Sequence, residues 1–269
     1  MGAGSGWQRA HVPAGNYARD LVPALFAPWA RHLVAQVRPR TGESVLDLAC
    51  GTGVVARTAA AQVGPTGSVT GVDVSADMLD VARAGEEPIA WVCAPAERTG
   101  LPDRSFDVAL CQQGLQFFPD RPAALAELHR VVAAGGRVAL SVWCDPGTPG
   151  YTAVREALAL HLAESTGPVA FIDAIFGLAD AGELRALLEH AGFTGVRIGR
   201  RTDAVRFPSP EAWVRAFLGA APVPGIGGPA APELDPVVAE AAARLRHLTD
   251  RGTGLAFPLS AHTAVATRP

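Results

Sequence analysis

Ser44-Val45-Leu46-Asp47-Leu48-Ala49-Cys50-Gly51-Thr52-Gly53-Val54-Val55-Ala56-Arg57 is the stretch that most restricts what this chain can fold into. Val45–Cys50 is short and apolar but for one acid, the pattern of a parallel strand covered on both faces. Gly51 and Gly53 allow a sharp turn and bring bare backbone close to a ligand. The Ala-rich run from Val54 to Gln62 continues as a helix whose free N–H groups face that turn. Gly51-x-Gly53-x-x-Ala56 also fits a dinucleotide fingerprint, although an ordinary glycine-rich βα turn has the same appearance. A second feature narrows the choice. Val69-Thr70-Gly71-Val72-Asp73-Val74 reads as another strand ending in an acid roughly 20 residues beyond the glycines, where a ribose diol is held in open α/β sheets.

Charge separates the two cofactor readings. A pyrophosphate on the turn would meet the helix N-terminus favourably but Asp47 unfavourably. A cofactor carrying a sulfonium and an ammonium would be attracted by the same carboxylate. The expectation is therefore S-adenosylmethionine, with an NAD-dependent reductase as the distant alternative. Asp47-Leu48-Ala49-Cys50-Gly51-Thr52-Gly53 followed by Gly71-Val72-Asp73-Val74-Ser75 resembles the class I S-adenosylmethionine-dependent methyltransferases. The nearest match is their ubiquinone/menaquinone-biosynthesis-like branch, the type 11 methyltransferases. The resemblance runs from Val45 to Trp143 and implies a Rossmann-like doubly wound α/β sheet of seven strands, the last antiparallel, with a helical cap.

It also implies a set of contacts. Tyr17, in an N-terminal segment folded over the cofactor, would touch the methionine carboxylate. Asp47, Ala49, Cys50, Gly51, Thr52 and Gly53 would form the turn beneath the cofactor, and Asp73, Val74 and Met78 its ribose side. The segment Ala94-Pro95-Ala96-Glu97 stands where the family has an aspartate that holds the adenine amino group. Pro95 removes that acceptor, which leaves adenine to backbone near Ala96, to Glu97, or to water. Gln112 and Gln113 follow the fourth strand at the sheet edge where ligands sit. Gln116, Phe117, Trp143, Phe171 and Phe176 are the candidate acceptor contacts.

Composition limits the partners. The 269 residues carry a net charge of −3, and every one of the 23 basic residues is Arg. Without Lys there is no Schiff-base chemistry and no phosphate-loop lysine. No basic run exceeds Arg200-Arg201, so nucleic acid is not an expected partner. Nor is a membrane, for no apolar run approaches a span. The glycine-rich start, Met1–Gly6, lacks the features of a secretory signal. Cys50, Cys93, Cys111 and Cys144 have no metal-ligand spacing and read as small buried hydrophobes, so no metal site is expected. The expected setting is the cytoplasm, and a homodimer is left open.

The chain divides by its breakers into a helical lid segment (1–37), a cofactor core (38–146), a helical cap (147–180) and a completing region (181–269). The last contains a second cap insertion around 208–252. Pro23 and Pro28 predict two short helices, or one kinked helix, in the first. Ala221 to Pro236, dense in Pro and Gly, reads as a mobile loop, Val237–Asp250 as a helix, and Phe193–Ile198 with Ala204–Phe207 as a strand or split strand. The predicted reaction is methyl transfer to O, N or C of a small, largely apolar metabolite. A protein of the same fold that binds S-adenosylmethionine without methylating is the alternative. Of the seven histidines, His129 and His190 read as surface or packing residues. His11, in the covering segment, is the candidate base.

Overall fold

The computed structural model describes residues 13–162, 166–221, 234–250 and 252–269. Its elements run α1 (Ala14–Asn16), a π-helical stretch (Tyr17–Phe26), α2 (Ala27–Val37), β1 (Ser44–Leu48), α3 (Val54–Val63), β2 (Ser68–Asp73), α4 (Ala76–Arg83) and β3 (Ile89–Cys93). They continue with β4 (Phe106–Gln112), α5 (Arg121–Val131), β5 (Val132–Trp143), α6 (Pro149–His161), α7 (Thr166–Ile175) and α8 (Ala181–His190). The last are β6 (Thr194–Phe207), α9 (Pro210–Ala220), α10 (Asp235–Leu245), β7 (Thr249–Asp250) and β8 (Gly254–Thr267).

The sheet order is β3-β2-β1-β4-β5-β8-β6, with the two-residue β7 paired to β8. β1 to β5 are parallel, and β8 is antiparallel to both β5 and β6. The expected seven strands and antiparallel last strand are present, with β7 added. The order reverses between β1 and β4, so the connections leaving their carboxyl ends part to opposite sides and open a crevice there.

Apolar periodicity builds a layer on each face. Ala30, Leu33, Val34 and Val37 of α2 pack with Val55, Ala59 and Val63 of α3 against Val45, Val69 and Val108. On the other face Leu125 and Leu128 of α5 and Leu184 and Leu188 of α8 cover Leu46, Leu48 and Ala109. β1 is buried from Val45 to Leu48 because both layers meet on it. A third cluster stands beyond the carboxyl edge. There Trp213 and Phe217 of α9 and Tyr151 of α6 pack with Phe207 of β6 and Phe257 of β8.

Two open readings are decided and one expectation is corrected. The arm from 14 to 37 is one unbroken helical run, because a wider π turn, with Ala27 N–H donating to Val22 O, accommodates Pro23. Pro28 lies in the first turn of α2, where no N–H is needed. β6 is a single strand, and the helix expected over Val237–Asp250 ends at Leu245 before a short 3₁₀ turn, Arg246–Leu248. Most of the Pro/Gly loop falls at 222–233, outside the described residues. Among the described residues no helix is long and apolar enough to cross a membrane.

Candidate active site

The glycine turn, β2 and the end of β4 converge on one point of the sheet edge. Asp73, the last residue of β2, accepts from Gly51 N–H at 2.8 Å through Oδ2 and from Ser75 N–H at 2.9 Å through Oδ1. One carboxylate thereby ties the β1–α3 turn to the start of α4, whose N-cap hydroxyl, Ser75 Oγ, accepts from Met78 N–H. Gly51 (φ +54°) and Gly53 (φ +89°) both occupy the left-handed region. A Cβ on Gly51 would meet nothing within 4 Å, so its backbone lies open to a ligand, whereas one on Gly53 would strike the Trp91 ring.

Asp47 lies beneath this turn. It is 1% exposed; Oδ2 accepts from Ala56 N–H at 2.9 Å in the first turn of α3, and Oδ1 has no partner. Burial, reinforced by the nearby Asp73, pushes its carboxyl up to about 8. Without a cation beside it, Asp47 is therefore largely protonated at neutral pH, which weakens the repulsion of phosphate expected from the sequence. Burial also raises Asp73 and the Cys50 thiol.

A carboxyl raised in the folded state above the ~3.9 of an unfolded chain binds its proton more tightly when folded. Its contribution to stability is complete below about pH 4 and is lost as the pH rises through about 8. Asp47→Asn, which keeps the acceptor for Ala56, is expected to flatten the pH dependence of cofactor-free stability across that window. Its Tm should exceed that of the parent by a few degrees at pH 8. Parallel curves for the two proteins would refute a raised Asp47.

Above the turn opens a cavity of about 340 Å³, within the range of small-molecule sites, roughly 300–1,000 Å³. Tyr17, Leu21, Leu25 and Phe26 of the helical arm form one wall. Ala49, Gly51, Asp73, Val74, Ser75 and Met78 form the floor, and Ala94, Pro95, Ala96 and Glu97 one end. Gln112, Gln113, Phe117, Phe118 and Trp143 line the middle, and Tyr151, Phe171, Ile175 and Phe217 close it from the later half.

Local structure fixes several of these groups. Gln112 Nε2 donates to Phe26 O at 3.0 Å, pinning the arm to the end of β4. A carbonyl can only accept, so the Gln112 amide orientation is set and its Oε1 remains buried without a partner. Gln113 turns the chain with φ +54° and donates from its backbone to Ser141 O. Phe117 stacks on Phe171 with centroids 5.9 Å apart and planes 10° from parallel, and Trp143 meets Trp29 edge-on at 5.3 Å.

The sequence therefore brings most of its candidates to one cavity, but not all. Cys50, Thr52 and Gly53 lie off the wall, on a side of the turn that faces Trp91, Gly71 and the guanidinium of Arg57, which donates to Thr52 O, and Asp47 lies off it beneath the turn, against Ala56 N–H. Gln116 is buried in the 3₁₀ turn Leu115–Phe117 with both amide atoms unpaired, and its backbone O accepts from Arg121. Phe176 packs edge-on against Tyr151 behind the lining. His11 lies outside the described residues, and no described histidine lines the cavity. Cys93 is exposed rather than buried, and among the described residues no cluster could hold a metal. Sequence reasoning missed Tyr151 and Phe217. Tyr151 was open to discovery, being one of only two tyrosines and standing at the cap's first turn.

The described lining contains carboxylates and no Arg or Lys, which suits a cationic cofactor rather than a pyrophosphate. This is an α/β sheet with its ligand crevice at the strand-order reversal and an acid-floored, aromatic-walled cavity. Comparison with known proteins defines it further. Residues 46–140 match the family model described as a methyltransferase domain. Aklanonic acid methyltransferase DauC of Streptomyces sp. (strain C5) is 35% identical over 185 residues, covering 64% of this chain and 84% of that one. The nocamycin O-methyltransferase of Saccharothrix syringae is 32% identical over 203 residues, 70% of this chain and 72% of that one. The fold is similar to that of a Haemonchus contortus phosphoethanolamine N-methyltransferase 2 in complex with S-adenosylhomocysteine (TM-score 0.61, 16% identity, 95% of this chain and 57% of that one).

The chain belongs to the methyltransferase family. It is a class I S-adenosylmethionine-dependent methyltransferase, and its cofactor is S-adenosylmethionine.

Proposed function

We propose that the acceptor is a small, largely apolar metabolite methylated on O, N or C, held against the aromatic half of the cavity. The observation that carries this reading is the make-up of the lining: two acids, Asp73 and Glu97, with the open backbone of the glycine turn, and a set of aromatic rings, Phe117, Trp143, Phe171 and Phe217, of which Phe171 stacks on Phe117 and Phe217. The relatives' names, aklanonic acid and nocamycin methyltransferases, agree with a small-molecule acceptor. The reading carries with it a cytoplasmic enzyme without nucleic-acid or membrane partners. It also carries the four-part division, with the arm (1–37) and cap (147–180) over the core (38–146). The third apolar cluster, which joins the arm's Leu21 and Leu25 to Tyr151 and Phe217, supports a common cover made by arm and cap.

Bound in the cavity, S-adenosylmethionine supplies a methyl group already activated by its sulfonium. The chain's work is then alignment and exclusion of water, in which effective molarity accounts for several kcal/mol of the barrier, roughly 7–11 at most. Asp73 would hold the ribose, Tyr17 the methionine end, Met78 and Val74 the flank, and Ala96 and Glu97 the adenine. A cation above the turn would favour the charged form of Asp47. For an acceptor with a weakly acidic proton, His11 is the assigned base, and His11→Ala would then remove one limb of the pH–rate profile.

Labelled S-adenosylmethionine incubated with the purified protein and a panel of aromatic and aliphatic metabolites tests the reading. Formation of S-adenosylhomocysteine only with apolar acceptors is expected. Transfer only to a protein or nucleic acid would overturn it. A narrower expectation concerns adenine. Pro95 is exposed at the cavity's end, so Pro95→Asp should restore an acceptor and tighten S-adenosylhomocysteine about 2–10-fold. Weaker binding would mean that the loop from Ala94 to Glu97 does not hold adenine in this way.

A further inference from the structure

We propose that the Tyr151 phenol is a positioning residue that orients the acceptor by donating a hydrogen bond to an oxygen beside the methylated atom. The acceptor class is then a flat apolar metabolite carrying a carbonyl, carboxylate or phenolate oxygen. The inference rests on the acceptor reading above and specifies it.

Tyr151 is held from several sides. Trp213 Nε1 donates to Gly150 O at 3.1 Å, fixing the backbone one residue earlier, and Gly150 itself lies bare against the Phe257 ring. The Tyr151 ring meets Phe176, Trp213 and Phe217 edge-on with centroids 5.2–5.3 Å apart. A ring so packed keeps one rotamer, and Tyr151 is only 3% exposed while lining the cavity. Its hydroxyl nonetheless hydrogen-bonds no other described residue.

Beside it in the lining, Phe117, Phe171, Ile175 and Phe217 offer no side-chain hydrogen bond, and the Tyr17 phenol stands within electrostatic range without being hydrogen-bonded to it. Polar groups of buried residues are normally paired, and a phenol left open on a cavity's wall marks where a ligand's polar atom belongs. Burial pushes the phenol above its ordinary value, so the group remains a donor at working pH and takes no proton from the acceptor. It acts on the direction of attack, with the nucleophile's charge or proton handled elsewhere.

The test uses the protein saturated with S-adenosylhomocysteine, titrated with 9-fluorenone and with fluorene. These tricycles share a shape and differ in one carbonyl oxygen. Parent protein is expected to bind fluorenone about tenfold more tightly than fluorene, and Tyr151→Phe to bind the two equally. Tyr151→Phe keeps the ring and its edge contacts, so its Tm and S-adenosylhomocysteine affinity should match the parent. Phe171→Leu should weaken both probes alike. Equal affinity of the parent for the two probes, or a fluorenone preference that survives in Tyr151→Phe, overturns the proposal. So does a Tyr151→Phe protein with lowered Tm and lowered S-adenosylhomocysteine affinity, which would make the phenol structural. Failure of both probes to bind the parent would instead count against the apolar-acceptor reading itself, and this inference would fall with it.

Discussion

Asp73→Ala is expected to lower the affinity for S-adenosylmethionine by roughly 100-fold or more, about 3 kcal/mol. Two losses combine. The proposed charge-assisted contact to the ribose would contribute about 1.5–3 kcal/mol. The same carboxylate accepts from Gly51 and Ser75, so its removal leaves two backbone donors unpaired and frees the glycine turn from α4. Asp73→Asn retains an acceptor oxygen and should lose about tenfold. Calorimetry on the three proteins measures the effect, with Tm recorded alongside to separate loss of contact from loss of fold. Unchanged affinity in Asp73→Ala would remove this residue from the binding site.

Gly53→Ala is expected to destabilise the protein by about 2–4 kcal/mol. At φ +89° an L side chain is strained, and its Cβ would lie 2.5 Å from Trp91 Cη2 and 3.0 Å from Arg57 Nη1. The Trp91 ring is held in place in turn. It lies across Gly71, its register partner on β2, and carries the Arg57 guanidinium 5.9 Å from its centroid. Adding Trp91→Leu should recover the steric part of the loss and leave the conformational part. Urea denaturation decides: a single variant within a few tenths of a kcal/mol of the parent would mean that the turn is not under this constraint.

These two positions also mark how far the sequence could be read. Asp47, the glycines and Asp73 are legible because a buried parallel strand, a turn and an acid that ties the turn to the next helix each demand specific residue types at fixed separations. Trp91 was not, because nothing in Ile89–Cys93 announces that one ring will occupy the space left by two glycines. Pro23 reads locally as a helix breaker, and only the wider turn of the arm absorbs it. β6 looks split because Gly199, Arg200 and Arg201 interrupt its apolar pattern, yet pairing with β8 continues through all three. The end of α10 was misread because Leu248 continues the helical spacing past Leu245. Tyr151 and Phe217 reach the cavity only through the packing of α6 and α9, which no local pattern encodes.

The β6–β8 pair has a mechanical consequence. Each strand is 14 residues long, and together they run as a beam from one apolar cluster into another. Val196, Ala264 and Ala266 belong to the layer under α8, whereas Val205, Phe207, Leu255 and Phe257 belong to the cluster around Trp213. An antiparallel ladder resists bending because every increment of curvature loads many backbone hydrogen bonds together. Swinging the later half away from the sheet would require flexing that beam. The helical arm is tied down differently, by Gln112 to Phe26 O, by Asn16 to Gly219 O and by Arg201 to His32. These three bonds add to the packing of Leu21 and Leu25 in the cluster around Trp213. Opening the cavity on the arm's side would cost three side-chain hydrogen bonds and the contacts of Leu21 and Leu25, and opening it on the other side a flexed beam.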